Sequence, residues 1–151
     1  MWSNRDRIWD VKIDIFEDNG IYLLGGFSAT GKSWLCKELN KMSVQYDDVV
    51  GYDLDDKKDS INNKIKRICK GKDPKVIMFD RFDMYDEKTK QDAKHVMQEY
   101  RDKAIILVDV KDDNEFKEDE YDNIAGMVID ELEIGVGEWY IMFLKMNLMI
   151  Y

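Results

Sequence analysis

Short apolar runs alternate with amphipathic stretches along most of this chain. Four of the runs have the length and continuity of strands that are buried on both faces of a sheet, and they lie at residues 21–24, 49–52, 76–79 and 104–108. The stretches between them carry apolar residues at helical spacing, which predicts a helix in each interval. Strands that alternate with helices favour right-handed crossovers and a mainly parallel sheet, so the pattern predicts a three-layer α/β fold.

The two ends of the chain add further strands to this prediction. Residues 7–16 alternate between apolar and polar positions, which is the period of a half-buried strand, and the turn signal Asp18-Asn19-Gly20 follows. We therefore expect an N-terminal β-hairpin whose second arm is residues 21–24. Residues 124–129 and 138–144 predict a C-terminal strand pair.

Length and charge limit the kind of protein this can be. The 151 residues fit a single domain spanning positions 1–151, and the net charge of -9 argues against a nucleic-acid partner. Residues 1–10 lack the apolar core of a signal peptide, and the apolar tail at 140–151 is too short to span a bilayer. Cys36 and Cys69 are far apart in the sequence and form no CxxC motif, so we expect free thiols in a reducing cytosol. We expect a cytoplasmic protein without membrane or nucleic-acid contacts.

The candidate chemistry begins directly after the first of the four apolar runs. Gly26-Phe27-Ser28-Ala29-Thr30-Gly31-Lys32-Ser33 fits the phosphate-loop pattern G-x-x-x-x-G-K-[ST] at every fixed position. Glycines let the backbone aim N–H groups at an anion, and the helix predicted after the loop offers its N-terminus to the same phosphates. Lys32 is placed to reach the β- and γ-phosphates, and the Ser33 hydroxyl to bind Mg²⁺. The predicted nucleotide contacts are Gly26, Ser28, Ala29, Thr30, Gly31, Lys32, Ser33 and Trp34.

On these residues the chain resembles the P-loop NTPase superfamily. Residues 26–33 match its Walker A motif, and Asp80, after the apolar run 76–79, matches its Walker B aspartate. The resemblance implies a P-loop NTPase fold with ATP and Mg²⁺ as cofactors, with Lys32 and Asp80 in catalysis and with Ser33 and Asp80 at the metal. It is consistent with the additional-strand branch, in which another strand separates these two motifs. In that branch the next strand ends in a polar sensor near the γ-phosphate, a place that Asp109 takes here.

The residue after Asp80 departs from the pattern of many ATP-driven members of the superfamily. They carry a Glu there as the base for the attacking water, whereas this chain has Arg81. Asp83, Glu87 or a carboxylate of the acidic loop further on could replace that base, and Asp83 is our candidate for positioning the water. Arg81 is interpreted as a surface residue paired with Asp83 or Asp86, with a phosphate-facing cation as the alternative. The expected activity is a weak or partner-dependent Mg·ATP hydrolase.

Two other functions stay open. Val50-Gly51-Tyr52-Asp53 resembles the acceptor-binding strand end of small-molecule kinases of the shikimate or gluconate type, with Asp53 as the acceptor-binding base. Such kinases normally add an Arg-rich lid, whereas residues 111–122 are mainly acidic and are expected to form an exposed loop. The missing Glu and the apolar residues 139–151 also suit a nucleotide-dependent protein-binding module without turnover. A protein partner or a homo-oligomer is compatible with each of these functions.

Two short motifs bear on the choice of nucleotide and on partner contacts. Thr89-Lys90-Gln91-Asp92 approximates a guanine-reading motif, but it falls within a predicted helix, so ATP is the expected nucleotide. Lys64-Ile65-Lys66-Arg67 is interpreted as a solvated helix face, with a cation donor to a second subunit as the alternative.

Overall fold

One sheet organises the described part of the chain. The computed structural model describes residues 11–12, 18–25, 36–37, 39–41, 43, 46–56, 59–131 and 137–143. Within these ranges the strands are β1 (Val11–Lys12), β2 (Gly20–Gly25), β3 (Val49–Tyr52), β4 (Val76–Phe79), β5 (Ile105–Asp109), β6 (Asn123–Glu131) and β7 (Gly137–Phe143). The helices are α1 (Ile61–Cys69) and α2 (Glu87–Tyr100), and residues 36–37 and 39–41 are also helical.

The strands are arranged in the order β1-β7-β6-β2-β5-β4-β3. The five neighbours from β6 to β3 all run parallel, with Leu23 opposite Val108 and Ile77 opposite Ile106. Every residue of β3, β4 and β5 is buried, as continuous apolar runs require when both faces of a sheet are covered. The predicted α/β fold with a mainly parallel sheet is therefore confirmed, and its two buried faces are compatible with three layers.

Both helices begin at side-chain caps that the sequence carries. The Ser60 hydroxyl accepts the N–H of Asn63 at the start of α1, and the Asp86 carboxylate accepts the N–H of Thr89 at the start of α2. Helix α1 ends at Lys70, which adopts the left-handed conformation with φ of 53°. Each helix buries one apolar face in a shared core with the sheet. None of the described helices is long and apolar enough to cross a membrane.

The predicted N-terminal hairpin is wrong for the residues that the structure describes. β1 pairs in parallel with β7, and both edges of β2 are occupied, by β5 and β6. A strand that is apolar on both faces is stabilised most in the middle of a sheet, where no edge is left for a hairpin partner. The Asn19 side chain instead donates to Asp102 O, and the Gly20 N–H donates to Ala104 O. The rest of the predicted first arm lies outside the described residues.

The predicted C-terminal strand pair is confirmed. β6 and β7 are antiparallel, with Val128 opposite Tyr140, and β6 also pairs in parallel with β2. These strands extend the parallel sheet on the side of β2. The last apolar residues of the tail, 144–151, lie outside the described residues.

Asp122 attaches the start of β6 to β2 and to the end of α2. Its Oδ2 accepts the Ile21 N–H at 2.8 Å and the Arg101 Nε at 3.0 Å, while its Oδ1 accepts Arg101 Nη2 at 2.8 Å. A Cβ on Gly20 would lie 2.8 Å from Oδ2, and the φ of 149° there also favours glycine. Burial alone would raise the pKa of Asp122, but the hydrogen bonds from Arg101 and Ile21 outweigh it and lower the pKa.

We expect Asp122→Asn to lower the free energy of unfolding at pH 7 by about 1 kcal/mol, because the amide loses the charge-assisted bonds and the site is partly exposed. The pKa of Asp122 is lower in the folded chain than in the unfolded chain. The difference in the free energy of unfolding between the parent and Asp122→Asn is therefore fully present above about pH 4. It is lost as the pH falls through the folded-state pKa. Urea unfolding from pH 7 down to pH 2 measures this loss.

Asp119→Asn is the matched control, because the Asp119 side chain is exposed and only its carbonyl oxygen accepts from Arg101. It should unfold like the parent at every pH. A difference between Asp122→Asn and the parent that stays constant down to pH 2 would contradict the assigned role of this carboxylate.

Candidate functional site

The carboxyl ends of the parallel strands bring acidic residues to one edge of the sheet. Asp53 follows β3, Asp80 follows β4, and Asp109 ends β5 opposite Leu24 of β2. The last residue of β4 lies opposite the last residue of β3 and the next-to-last residue of β5, so these strands end at the same level. Parallel α/β sheets bind their ligands at this edge, which makes it the candidate site.

The carboxylates at this edge are buried and need compensation. The exposed fractions are 2% for Asp80, 7% for Asp109 and 9% for Asp53. The Arg81 N–H donates to Asp109 Oδ2 at 3.2 Å, and the Asp80 N–H donates to Tyr52 O at 2.8 Å. A buried carboxylate without donors is costly, so these bonds both stabilise Asp109 and tie the ends of β3, β4 and β5 together.

Arg81 pairs with the aspartate that precedes it. Its Nε lies 3.3 Å from Asp80 Oδ2, and its side chain is 44% exposed. Arg81 has a φ of 50°, in the left-handed region, which costs a residue with a Cβ about 1 kcal/mol. The expected partners, Asp83 and Asp86, were therefore wrong, because this turn places the guanidinium at the end of β4 instead.

The segment after Arg81 is anchored by aromatic packing. It forms a 3₁₀ turn, Phe82–Met84, in which Phe82 is fully buried and its ring centroid lies 5.5 Å from that of Tyr85. Asp83 is half-buried on this turn. Its predicted role in positioning water stays a prediction, and no hydrogen bond or ion pair holds its carboxylate among the described residues.

Lys64 is buried beneath the turn that follows β3. Its Nζ donates to Asp56 Oδ2 at 2.8 Å, to Asn40 Oδ1 at 3.1 Å and to the Gly51 carbonyl. Asp56 Oδ2 in turn accepts the Asp53 N–H at 2.9 Å. This network compensates the buried ammonium and fixes the backbone that carries Asp53.

The interpretation of residues 64–67 as a solvated helix face is wrong for Lys64. Lys64 follows the buried Ile61 by three residues and precedes the buried Ile65, so the helical repeat places it on the face of α1 that covers β3. Arg67 fits the interpretation, since its side chain is 63% exposed and pairs with Asp59 at 3.0 Å. The helical periodicity of the sequence could have predicted that Lys64 is buried. It could not have predicted the hydrogen bond to Asn40, because Asn40 is distant in the chain.

The helical segment before β3 packs closely against that strand. A Cβ on Gly51 would lie 2.8 Å from Cys36 O and 3.1 Å from the Asn40 side chain, so glycine permits the approach. Burial, together with the charges of Asp80 and Asp53, raises the pKa of Cys36 well above its ordinary value. Both cysteines of the chain are free, as predicted, and a protonated buried thiol has a packing role rather than a nucleophilic one.

The predicted phosphate loop itself lies outside the described residues. β2 is described up to Gly25, and the next described residue is Cys36. The contacts predicted for Gly26, Ser28, Ala29, Thr30, Gly31, Lys32, Ser33 and Trp34 therefore stay predictions. The structure provides their setting, because the chain leaves β2 at the edge where Asp80 and Asp109 are buried.

The donor atoms at this edge suit a Mg²⁺ ion that arrives with a phosphate. Mg²⁺ prefers oxygen ligands, keeps several waters and usually needs only one or two protein carboxylates when phosphates complete its shell. Asp80 and Asp109 offer such oxygens in a buried setting. Among the described residues no group of three or more His, Cys, Asp or Glu forms a complete metal cage. The residues fit a shared ion, which Asp80 and the predicted ligand Ser33 would hold.

Comparison with known proteins adds no family to this picture. No protein-family model matches the sequence, and no curated protein matches it either.

Replacing Arg81 tests the left-handed turn that brings its N–H to Asp109. Arg81→Gly and Arg81→Ala both remove the guanidinium, so their difference reports the backbone conformation alone. We expect the glycine variant to be more stable by about 0.5–1 kcal/mol, because only alanine meets a steric penalty at a φ of 50°. Urea unfolding of the two variants measures the difference.

The Gln91→Gly and Gln91→Ala pair is the control for this comparison. Gln91 is exposed in the interior of α2, where alanine should be the more stable by about 1 kcal/mol. Alanine being the more stable at both positions would rule out the left-handed turn at residue 81.

Proposed function

We propose that this chain binds Mg·ATP at the carboxyl edge of its parallel sheet and hydrolyses it slowly or with the help of a partner. The observation that carries the proposal is the burial of Asp80 and Asp109 at the edge where β2 ends and residues 26–33 continue. A phosphate-loop sequence that leaves a strand beside buried carboxylates has the groups that a phosphate and Mg²⁺ require.

The strand order supports the resemblance to the additional-strand branch. β5 lies between β2, which precedes the phosphate-loop sequence, and β4, which precedes Asp80. Neighbouring strands are about 4.8 Å apart, and β4 is two strands away from β2. Asp80 therefore lies about 10 Å from the strand that leads into the loop. At that separation we expect Asp80 to orient Mg²⁺ through a water molecule rather than by direct contact, which is the role the resemblance implies.

Each group in the proposed site has a separate task. The backbone N–H groups of residues 26–33 bind the phosphates, and Lys32 neutralises their charge. Ser33 and Asp80 would hold Mg²⁺, which when bound offsets the charge that develops on the transferred phosphoryl group. Asp109 fixes the turn after Asp80 through the Arg81 N–H, and it stands where a γ-phosphate sensor is expected.

The identity of residue 81 argues for slow turnover. The usual base after the Walker B aspartate is absent, and the cationic Arg81 pairs with Asp80 instead. Asp83 remains the candidate for orienting water, because it lies on the anchored turn two residues further on. A partner protein or a second copy of the chain that supplies a carboxylate or a cation would raise the rate.

Lys32→Ala should weaken Mg·ATP binding at least about tenfold, because a charge-assisted bond to phosphate contributes about 1.5–3 kcal/mol. Titration with a fluorescent ATP analogue in Mg²⁺ buffer measures the dissociation constant. Lys37→Ala is the matched control, since Lys37 is exposed on the helical segment after the predicted loop and should bind like the parent. Equal affinity of the Lys32→Ala protein and the parent would refute the proposal.

Asp83→Asn should slow phosphate release from saturating Mg·ATP by about tenfold or more, because a neutral amide orients the attacking water less well. Asp102→Asn is the control and should release phosphate at the rate of the parent, since Asp102 is exposed before the start of β5, away from the carboxyl edge. Phosphate release is measured with and without a panel of hydroxylated metabolites.

The same assay separates the alternative functions. Release that depends on a metabolite, with a phosphorylated product, would replace the hydrolase with a kinase that uses Asp53. Tight Mg·ATP binding without any release would favour the nucleotide-dependent protein-binding module.

A further inference from the structure

Lys64 connects three parts of the chain at the outer edge of the sheet. Within the described part of the chain β3 is the last strand, so its outer N–H and C=O groups have no neighbouring strand to bond. At Gly51 side chains take that place, because the N–H donates to Asn40 Oδ1 at 3.2 Å and the carbonyl accepts Lys64 Nζ. Lys64 Nζ also donates to Asn40 Oδ1 at 3.1 Å and to Asp56 Oδ2 at 2.8 Å. We call Asn40, Gly51, Asp56 and Lys64 the Lys64 network.

Through Asn40 the network reaches the helical segment that follows the phosphate-loop sequence. Cys36 and Asn40 lie one helical turn apart in this segment and both contact β3. The Cys36 thiol donates to Tyr52 O at 3.8 Å, and the Cys36 carbonyl oxygen lies 2.8 Å from the place of a Cβ on Gly51. The first described turn after the predicted phosphate loop is therefore packed directly on β3.

Packing alone would hold this helical segment against β3 without fixing its place along the strand. Gly51 lies at the contact, and a residue without a side chain permits the close approach but offers no projection that stops the segment from sliding. The Asn40 side chain does stop it, because its amide oxygen accepts from the Gly51 N–H and from Lys64 Nζ, which belong to two different elements. The position of the segment along β3 thus depends on the Lys64 network.

A buried ammonium is a poor means of stabilising α1 itself. Lys64 is 5% exposed and lies on the helix face that also carries the buried Ile61 and Ile65. The cost of removing an ammonium from water offsets much of what its ion pair contributes, and an apolar residue of similar volume is often as stabilising. The ammonium adds direction instead, because its three N–H donors reach acceptors on three separate parts of the chain, which an apolar side chain cannot do.

We infer that Lys64 is a positioning residue for the proposed Mg·ATP site. Through Asn40 it sets the place of the helical segment that follows the phosphate loop, and the start of such a helix is the part that binds phosphates. Through Asp56, which accepts the Asp53 N–H at 2.9 Å, the same ammonium fixes the turn after β3. Lys64 acts through these residues and not by contact with the nucleotide. The inference rests on the proposed function, because it concerns how that site is held in place.

Lys64→Met tests the inference, because it removes the ammonium and keeps an unbranched apolar side chain of similar length. Titration of the full chain with a fluorescent ATP analogue in Mg²⁺ buffer should show binding weakened about tenfold, since small displacements of the groups that position a site cost up to about 10²-fold. Arg67→Met, at an exposed position of the same helix, is the matched control and should bind within about twofold of the parent. Unchanged affinity of Lys64→Met would mean that the network only covers the edge of β3, and would overturn the inference.

Variants of Asn40 separate positioning from a loss of stability. Asn40→Ala removes the shared acceptor and should weaken Mg·ATP binding about tenfold, whereas Asn40→Asp keeps an oxygen for both donors and should bind within about threefold of the parent. The double variant Asn40→Ala/Lys64→Met should lose no more than about the larger single loss, because both changes break the same bond. Val96→Ala opens a cavity in α2 and should lower the urea midpoint without changing the affinity. Single losses that multiply in the double variant, or an equal loss in Val96→Ala, would contradict a positioning role.

Amide hydrogen exchange without nucleotide tests the network by itself. Exchange of the Gly51 N–H should be about tenfold faster in Asn40→Ala than in the parent and should stay close to the parent in Asn40→Asp. The N–H of Ile106, in the central strand β5, is the internal reference and should not change. Equal exchange of Gly51 in the parent and in Asn40→Ala would refute the network whatever the chain binds.

Lys32→Ala shows which of the two proposals fails. If the parent binds Mg·ATP more tightly than Lys32→Ala while Lys64→Met binds like the parent, only the positioning role is wrong. If the parent and Lys32→Ala bind equally, the proposed function fails and the positioning role fails with it.

Discussion

Carboxylates buried at the end of a parallel sheet impose a constraint on which the rest of this edge depends. A carboxylate removed from water without donors costs several kcal/mol, so the surrounding backbone has to supply them. Arg81 does this in an unfavourable left-handed conformation, in which its N–H donates to Asp109 while its guanidinium reaches Asp80. The strain at Arg81 is therefore offset by the charges that it stabilises.

On the β3 side of the edge, the buried group that needs hydrogen-bond partners is a cation, the Lys64 ammonium. Lys64 bonds to Asp56 and to the carbonyl of Gly51, and Asp56 accepts the N–H of Asp53. The edge is thus divided into two parts. The first has Asp109 opposite Leu24 of β2 and Asp80 one strand further, and the second has Asp53 beside the tyrosines that line a pocket of about 270 Å³. The two parts differ in what surrounds the carboxylates, because Arg81 pairs with Asp80 in the first part and Asp56 accepts the Asp53 N–H in the second.

The turn after β4 belongs to both parts. It begins at Asp80, passes through the buried Phe82 and reaches Tyr85 in the wall of the pocket. Phe116, from the acidic stretch that was expected to be an exposed loop, packs its ring 4.9 Å from that of Phe82. Phe116 thereby attaches the charged segment 111–122 to the core, and its contact with Phe82 stabilises the turn after β4.

The sequence by itself determined the elements and the candidate phosphate chemistry. Continuous apolar runs identified β2 to β5, helical spacing identified α1 and α2, and residues 26–33 fitted a phosphate loop, because each of these signals is local. Only the tertiary structure decided that β1 pairs with β7, that Lys64 is buried and that Arg81 pairs with Asp80. A local pattern specifies backbone conformation and the buried face, whereas the partner on that face comes from distant parts of the chain and depends on packing and charge compensation.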